Sequence, residues 1–179
     1  MSHGTENGKI AATDEDYFVE ELWENFVGDN CKTLTGKPKL FFIQACRGTM
    51  VDPGVIFKPK QAPSEIKLPQ TGGDEVDAQL TDPVFVIPKL ADLLVMYSTS
   101  GGHYSFRNLT NGSWFIQALC EELKTNSDKD LMWILTAVNR RVAYGNQSNM
   151  EKYPALDAAK QMPNIVSMLT KIMYLTPKH

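Results

Sequence analysis

Cys46 is the residue of this sequence best placed to act as a nucleophile. It follows Leu40–Ala45, a short apolar run with β propensity that predicts a strand buried on both faces. In open α/β sheets the carboxyl ends of strands carry the functional site, and a thiolate there can attack a carbonyl carbon. Because a lone cysteine is more often a small buried hydrophobic residue, the neighbouring residues have to decide between the two interpretations.

His3 supplies the base that such a thiol requires. It lies upstream of Cys46, and an imidazole can take a proton from a thiol and return it to a leaving amine. Gly4 has no side chain, so its backbone N–H can approach the oxyanion of a tetrahedral intermediate, and the N–H of Cys46 can be the second donor. A lone histidine near a terminus is usually a solvated residue, so His3, Gly4 and Cys46 become a candidate catalytic group only together with the motif around Cys46.

The residues around Cys46 carry a resemblance to a known family. Gln44-Ala45-Cys46-Arg47-Gly48 is the signature of the caspase nucleophile, and the sequence resembles the caspases, especially their executioner branch. The likeness extends over nearly the whole chain. It includes segments similar to the family's substrate-binding strand and loop, its small-subunit helix and its late strand, which are Tyr97–Thr99, Tyr104–Asn108, Gly112–Gln117 and Gln161–Lys171.

The resemblance implies an endopeptidase that cleaves after aspartate. Arg107 would bind the carboxylate of the P1 aspartate through two hydrogen bonds, for which a planar guanidinium is suited. Gln44 and Ser105 would line the same pocket. Without the family, Arg107 would be interpreted as a surface cation. The resemblance also assigns an apolar P2 pocket and the P4 side to further residues, which are Tyr104 with Phe106 for P2 and Asn108 with Trp114 for P4.

A segment rich in proline and glycine, residues 47–88, separates the Cys46 region from the next predicted strand. It is too long for an ordinary loop of a compact domain, so we interpret it as an intersubunit linker. Within it, the tetrapeptide Asp-Glu-Val-Asp ending at Asp77 matches the preferred substrate of executioner caspases. The resemblance therefore predicts processing after Asp77 into a large-subunit part, residues 1–77, and a small-subunit part, residues 78–179.

Periodicity along the chain predicts the other elements of an α/β fold. Phe18, Leu22 and Phe26 recur at helical spacing and predict a helix over residues 14–27. Helices and buried strands alternate, so we predict a caspase-like sandwich with a mostly parallel central sheet flanked by helices. The further predicted elements are a strand at 91–97, helices at 111–124 and 131–143, and one or two strands within 165–175.

The composition restricts the classes of function open to this protein. Its 179 residues carry a net charge of −3, which argues against nucleic acid and anionic membranes as partners. No apolar stretch approaches the roughly 18 residues of a membrane span, and no signal-peptide pattern is present, so we predict a cytoplasmic protein. The three cysteines favour free thiols over disulfides. No metal-ligand spacing occurs, and we predict neither a metal nor another cofactor.

An alternative to an active protease stays open on the sequence. The family domain begins well upstream of its catalytic histidine, so the resemblance implies that its first strands, early helices and a second P1-binding arginine are missing from this chain. We interpret the chain as a truncated sequence rather than a natural short isoform. An active enzyme would be a homodimer of large- and small-subunit pairs, with protein substrates, an activating caspase and inhibitor proteins as partners. A weak or inactive isoform would instead regulate full-length caspases by pairing through residues 165–175.

Overall fold

The computed structural model describes residues 3–5, 8–55, 87–108 and 110–175. The chain divides into two units, one formed by residues 1–54 and 88–179 and the other by residues 55–87. Of the second unit only Val55 and Ile87 are described. The predicted processing site, Asp77, therefore lies outside the described residues.

Short strands and two longer helices make up the first unit. Along the chain they are β1 (Lys9–Ala11), β2 (Asp16–Phe18), α1 (Glu21–Glu24), a 3-10 helix (Gly28–Leu34), β3 (Lys39–Ile43), β4 (Leu93–Tyr97), β5 (Arg107–Asn108), β6 (Gly112–Ser113), α2 (Trp114–Thr125), α3 (Leu131–Gly145), a second 3-10 helix (Pro154–Leu156) and β7 (Asn164–Ser167). No helix in the described part of the chain is long and apolar enough to cross a membrane.

The central sheet has the order β3-β4-β7. β3 and β4 confirm the two predicted strands and pair in parallel, with Ile43 opposite Tyr97 at their carboxyl ends. β7 pairs with β4 in the antiparallel direction and occupies only the first residues of the segment predicted to hold the final strands. Because β4 lies between the two, it is the strand around which the core forms.

Side chains of β4 alternate between two hydrophobic clusters, as the period of two along a strand requires. Leu94 and Met96 pack with buried residues of α2 and α3 on one face. Leu93, Val95 and Tyr97 pack on the other face with residues of β1, α1 and the segments next to them. All five are buried, so both faces of the central strand are covered.

The predicted helix over residues 14–27 is wrong for most of its length. The chain forms the hairpin β1–β2 and only four residues of helix α1. Asp14 and Asp16 have low helix propensity, and pairing with β1 satisfies the backbone of β2 instead. The buried face is also different, because Val19, Trp23 and Val27 point into the core while Phe18 and Phe26 are exposed.

Helices α2 and α3 confirm the two later helix predictions, and each begins at a side-chain cap. Ser113 Oγ accepts a hydrogen bond from the N–H of Ile116, and Asp130 Oδ1 accepts one from the N–H of Trp133. Such caps satisfy N–H groups that the first helical turn leaves free. Helix α2 starts three residues later than predicted, because Gly112–Ser113 forms β6 and pairs with Arg107–Asn108.

Asp92 ties the amino-terminal end of β4 to both neighbouring strands. Its carbonyl accepts from the N–H of Lys39 at 2.8 Å, and its own N–H donates to Met168 O at 2.9 Å. Its Oδ1 accepts from Thr170 through the hydroxyl at 2.6 Å and the N–H at 3.1 Å. The hydrogen bond from the Thr170 hydroxyl lowers the pKa of Asp92 below its ordinary value, since it favours the charged carboxylate.

Replacing Asp92 by asparagine should make the protein less sensitive to acid. A lowered folded-state pKa contributes stability above the unfolded-state value, about 3.9, and that contribution is lost as the pH falls through the folded-state pKa. At neutral pH we expect Asp92→Asn to reduce the free energy of unfolding by roughly 1 kcal/mol or more. Below about pH 4 the difference from the native chain should shrink. Urea unfolding at several pH values measures it.

The matched control for this experiment is Asp29→Asn, which changes an exposed carboxylate in the 3-10 helix. Because this carboxylate is exposed, Asp29→Asn should keep the native free energy of unfolding at neutral pH. A constant difference between Asp92→Asn and the native chain from pH 7 to pH 3 would contradict the role given to Asp92.

Candidate active site

Cys46 lies just beyond the carboxyl end of β3, where the sheet's two parallel strands end together. Ser98, which follows β4, donates from its N–H to Ile43 O at 2.9 Å and from Oγ to Ala45 O at 3.0 Å. Parallel strands end on the same edge of a sheet, so the residues that follow them are neighbours. The expected position of Cys46 at a strand end is therefore confirmed.

The segment after Cys46 is held against the segment after β4. The N–H of Arg47 donates to His103 O at 2.9 Å, and Gly102 donates back to Arg47 O at 2.8 Å. Gly48 has a φ of +149°, and an added Cβ there would overlap the backbone of Gly102. Only glycine fits this contact, which explains in physical terms the glycine that ends the Gln44–Gly48 motif.

Arg47 makes a second contact that fixes the backbone next to Cys46. Its guanidinium lies 3.9 Å from the centroid of the Tyr97 ring, within the range of a cation–π interaction. Burial raises the pKa of Tyr97, and the charge of Arg47 opposes that rise. The ring therefore stays a neutral phenol at physiological pH and packs Arg47 against the end of β4.

The sulfur of Cys46 faces the backbone of Ser105. The N–H of Ser105 donates to Sγ at 3.4 Å, and the thiol contacts Ser105 O at 3.7 Å. The side chain of Cys46 is half-buried, whereas Cys120 is exposed. A sulfur beside a backbone donor in a partly accessible position can carry a developing negative charge.

Gly4 lies against the backbone of Cys46. An added Cβ at Gly4 would overlap the carbonyl oxygen of Cys46 and come within 3.3 Å of the Cβ of Ala45. The segment is attached to β1, since Gly4 forms a bridge with Ile10 and His3 O accepts from the N–H of Ala11 at 2.8 Å. His3 itself is exposed. The structure thus brings the His3–Gly4 dipeptide beside Cys46 although they are far apart in sequence.

Residues 104–108 form the opposite wall of the site. Gln44 Nε2 donates to Ser105 Oγ at 2.9 Å, so two predicted pocket residues are in contact. Gln44 Oε1 is buried and has no hydrogen-bond partner among the residues that the structure describes. Arg107, two residues beyond Ser105, is exposed in β5. A buried polar oxygen without a partner is uncommon in a folded protein, and a ligand that completes the site is one explanation of it.

The residues predicted for the P2 and P4 subsites differ in what their side chains contact. Phe106 stacks on Trp114 with ring centroids 5.0 Å apart and an interplanar angle of 26°, and both side chains are half-buried. Tyr104 is also half-buried, and its N–H donates to Met50 O at 3.1 Å. Asn108 instead uses its side-chain oxygen within its own turn, where it accepts from the N–H groups of Thr110 and Asn111.

Two residues that organise this wall, Ser98 and Gln161, were given no individual role from the sequence. Gln161 is buried, and its amide contacts both Ser98 and Phe106. Both residues lie in segments that resemble the family, Tyr97–Thr99 and Gln161–Lys171. No pattern in the sequence marks either side chain as pointing inward. Only the fold shows that the side chain of Gln161 does so.

The comparisons with known proteins agree with this geometry, in which a half-buried thiol at the edge of an α/β sheet is held by backbone groups from both sides. A family model described as the caspase domain matches residues 1–174. Caspase-3 of Bos taurus is 45% identical over 177 residues, which cover 97% of this chain and 57% of that protein. Caspase-1 of Drosophila melanogaster is 41% identical over 174 residues, which cover 97% of this chain and 50% of that protein.

The solved structures give the same result for the fold. The crystal structure of caspase-1 from Spodoptera frugiperda superposes with a TM-score of 0.78 at 38% sequence identity, over 96% of this chain and 58% of that one. The chain therefore belongs to the caspase family, and the predicted caspase-like α/β fold is confirmed. It spans about half the length of the relatives that it matches.

Replacing Gly4 by alanine tests the contact between the His3–Gly4 segment and Cys46. The added methyl group would meet the Cys46 carbonyl, which is backbone and cannot turn aside, so one of the two segments must move. We expect a loss of roughly 1–3 kcal/mol in the free energy of unfolding, as for other overpacked sites. Denaturant unfolding measures it. Gly145→Ala is the matched control, because nothing lies within 4 Å of its Cβ position. Equal stability of the two variants would contradict the contact.

Proposed function

We propose that this protein is a cysteine endopeptidase of the caspase type, which cleaves peptide bonds after aspartate in proteins during apoptosis. The observation that supports this most is the convergence of two separate segments on Cys46. Gly4 touches its carbonyl, Ser105 donates to its sulfur, and Arg107 follows two residues later. A nucleophile, candidate oxyanion donors and a cation for an acidic side chain then lie within one site, as aspartate-directed acyl transfer requires.

The proposed reaction begins with proton transfer from the Cys46 thiol to His3. The sulfur attacks the carbonyl carbon of the P1 aspartate, and the N–H groups of Gly4 and Cys46 stabilise the oxyanion that forms. His3 returns the proton to the leaving amine as the C–N bond breaks. A water molecule, deprotonated by His3, then hydrolyses the thioester and releases the acid product with the free thiol. The half-buried position of the sulfur supports this role, because the substrate can reach it.

Recognition of the P1 aspartate is assigned to Arg107, Gln44 and Ser105. Gln44 and Ser105 already bond to one another, which holds the pocket wall in place. The exposed guanidinium of Arg107 is free to form a paired contact with a carboxylate. Tyr104 and Phe106 would form the apolar P2 pocket, and the stacking of Phe106 on Trp114 supports an apolar surface there. Asn108 and Trp114 border the P4 side in this proposal.

Activation by cleavage after Asp77 follows from the same proposal. The enzyme recognises an Asp-Glu-Val-Asp sequence, and its own chain carries one that ends at Asp77. Cleavage there would give a large-subunit part, residues 1–77, and a small-subunit part, residues 78–179, from within the linker region 47–88. The activating protease would be an upstream caspase.

A homodimer of large- and small-subunit pairs in the cytoplasm is the proposed working form. Supporting it is the edge strand β7, whose second edge pairs with no strand in the described part of the chain. Val166 on β7 is 41% exposed, and Ile172 and Tyr174 beyond it are 78% and 57% exposed. Open edges with apolar side chains favour pairing with another strand. Inhibitor proteins and protein substrates are the other proposed partners.

The same edge supports a second candidate function. A chain that spans half the length of its relatives could pair through β7 and residues 165–175 with a full-length caspase, and regulate it without cleaving substrate itself. This candidate predicts binding to a full-length partner in the absence of activity, and the experiment on Cys46 separates the two.

Hydrolysis of a fluorogenic Asp-Glu-Val-Asp peptide by the purified chain tests the proposed function. We expect activity that Cys46→Ala lowers by about a thousandfold or more, because the nucleophile is removed. Cys120→Ala, which changes an exposed thiol, should leave the activity unchanged. Arg107→Gln should raise KM for the aspartyl peptide far more than for its asparaginyl analogue.

Two outcomes would overturn the assignment as a cysteine endopeptidase. Activity that survives Cys46→Ala would belong to another residue or to a contaminant. A native chain that does not hydrolyse the peptide but inhibits or activates a full-length caspase would favour the regulatory candidate. Mass analysis of the same samples shows whether the chain has been cut after Asp77, and Asp77→Ala is the control for that cleavage.

A further inference from the structure

Gln161 is a buried polar residue whose amide is bonded at both ends. Its side chain lies in the core with 1% of its surface exposed. Nε2 donates to Ser98 O at 2.7 Å, and Oε1 accepts from the N–H of Phe106 at 2.6 Å. Since a buried amide loses its hydration, both bonds are needed to hold it in the core. The side chain therefore connects the end of β4 to the segment that carries Arg107.

Ser98 extends this connection to the nucleophile. Its side chain is fully buried, and its Oγ donates to Ala45 O at 3.0 Å and accepts from the Ala45 N–H at 3.4 Å. Ala45 directly precedes Cys46, and Phe106 directly precedes Arg107. A path of hydrogen bonds thus runs from the residue before the thiol to the residue before the arginine, and it is buried from Ala45 to Gln161 and half-buried at Phe106.

We propose that Ser98 and Gln161 are positioning residues, which hold Cys46 and Arg107 at the separation that an aspartate side chain requires. The proposal rests on the proposed function, because it assigns these two residues to the aspartate specificity of the same site. Neither side chain touches the substrate. Each acts by fixing the backbone beside a residue that does.

The other contacts across the site cannot do this alone. Ser105 donates to the sulfur of Cys46 at 3.4 Å, and that contact must change when the sulfur forms a bond to the substrate. The bond between Gln44 and Ser105 joins two residues that line the pocket itself, so a bound carboxylate competes with it. The path through Ser98 and Gln161 contains no reacting atom, so it stays intact through the reaction. It reaches Phe106, the residue before Arg107, whereas the backbone hydrogen bonds of Arg47 and Met50 end at residues 102–104.

A buried polar residue elsewhere in the fold provides the comparison. Glu122 is 6% exposed and is also bonded at both sides, to Arg141 Nε at 2.6 Å and Asn126 Nδ2 at 2.7 Å. It joins α2 to α3 and to the end of α2, and none of its partners belongs to the candidate site. Glu122→Met therefore destabilises the fold without changing the path, and it is the matched control for Gln161→Met.

The test compares two peptide ketones that alkylate Cys46 and differ only in having aspartate or asparagine at P1. The ratio of their rates cancels the fraction of folded protein, so a purely structural effect does not move it. In Gln161→Met we expect the ratio to fall by about tenfold or more, because Arg107 no longer meets the aspartate while Cys46 stays reactive. Glu122→Met should keep the native ratio. A native ratio in Gln161→Met would overturn the proposal.

Ser98→Ala gives a second reading that does not depend on Gln161→Met being well folded. It removes the hydroxyl bonded to Ala45 and keeps the backbone carbonyl that Gln161 uses. We expect the ratio to fall in Ser98→Ala as well. The fall should be smaller than in Gln161→Met, because Phe106 keeps its partner. An unchanged ratio in Ser98→Ala, with an altered one in Gln161→Met, would overturn the part of the proposal that concerns Ser98.

Hydrogen exchange separates this proposal from the proposed function. If the native chain does not discriminate between the two ketones, the aspartate specificity fails, and the ratio carries no information on Gln161. The exchange rate of the Phe106 amide then decides whether Gln161 positions this segment, because that amide donates to Gln161. It should exchange about tenfold faster or more in Gln161→Met than in Glu122→Met. Equal exchange in the two variants would overturn the positioning role.

Discussion

Parallel pairing of β3 with β4 is the constraint on which the rest of the site depends. With Ile43 opposite Tyr97, the next residues of both strands leave the sheet at the same level. A shift of one residue in this register would turn every side chain of β3 to the other face. It would also separate Ala45 from Ser98, whose hydroxyl bonds to it. The register of β3 against β4 therefore determines the position of the thiol as well as the packing of the core.

Two kinds of contact surround Cys46: those of its neighbouring backbone and those of its sulfur. Backbone hydrogen bonds and tight glycine contacts hold the backbone around Cys46 in place. The cation–π contact of Arg47 with the Tyr97 ring adds to them. The contacts of the sulfur with Ser105, at 3.4 and 3.7 Å, are weaker, because a thiol is a weak donor and a weak acceptor. A reacting atom has to change partners during a reaction, so weak contacts at the sulfur and firm ones around its backbone suit a nucleophile that is positioned but free to react.

Sequence reasoning succeeded where a local pattern and a buried environment agreed. β4, α2 and α3 are long and strongly apolar on their inner faces, and their pattern has only one good interpretation. It failed at residues 14–27, where Phe18 and Phe26 fit a helix but β1 offers a better partner for the backbone. The candidate nucleophile, Cys46, was found from a motif. Gln161 was not, because inward orientation of a single polar side chain is a property of the tertiary fold and leaves no period in the sequence.

The position of the predicted linker relative to these contacts has a mechanical consequence. Residues 1–54 and 88–179 belong to one unit, and hydrogen bonds join them along β3 and β4, from Lys39–Asp92 at one end to Arg47–His103 at the other. The two hydrophobic clusters also draw residues from both parts. A cut between these parts removes a covalent connection but none of the hydrogen bonds and apolar contacts described for residues 3–55 and 87–175. Cleavage after Asp77 would therefore leave Cys46 and Arg107 on different chains of one folded unit, held together by the sheet.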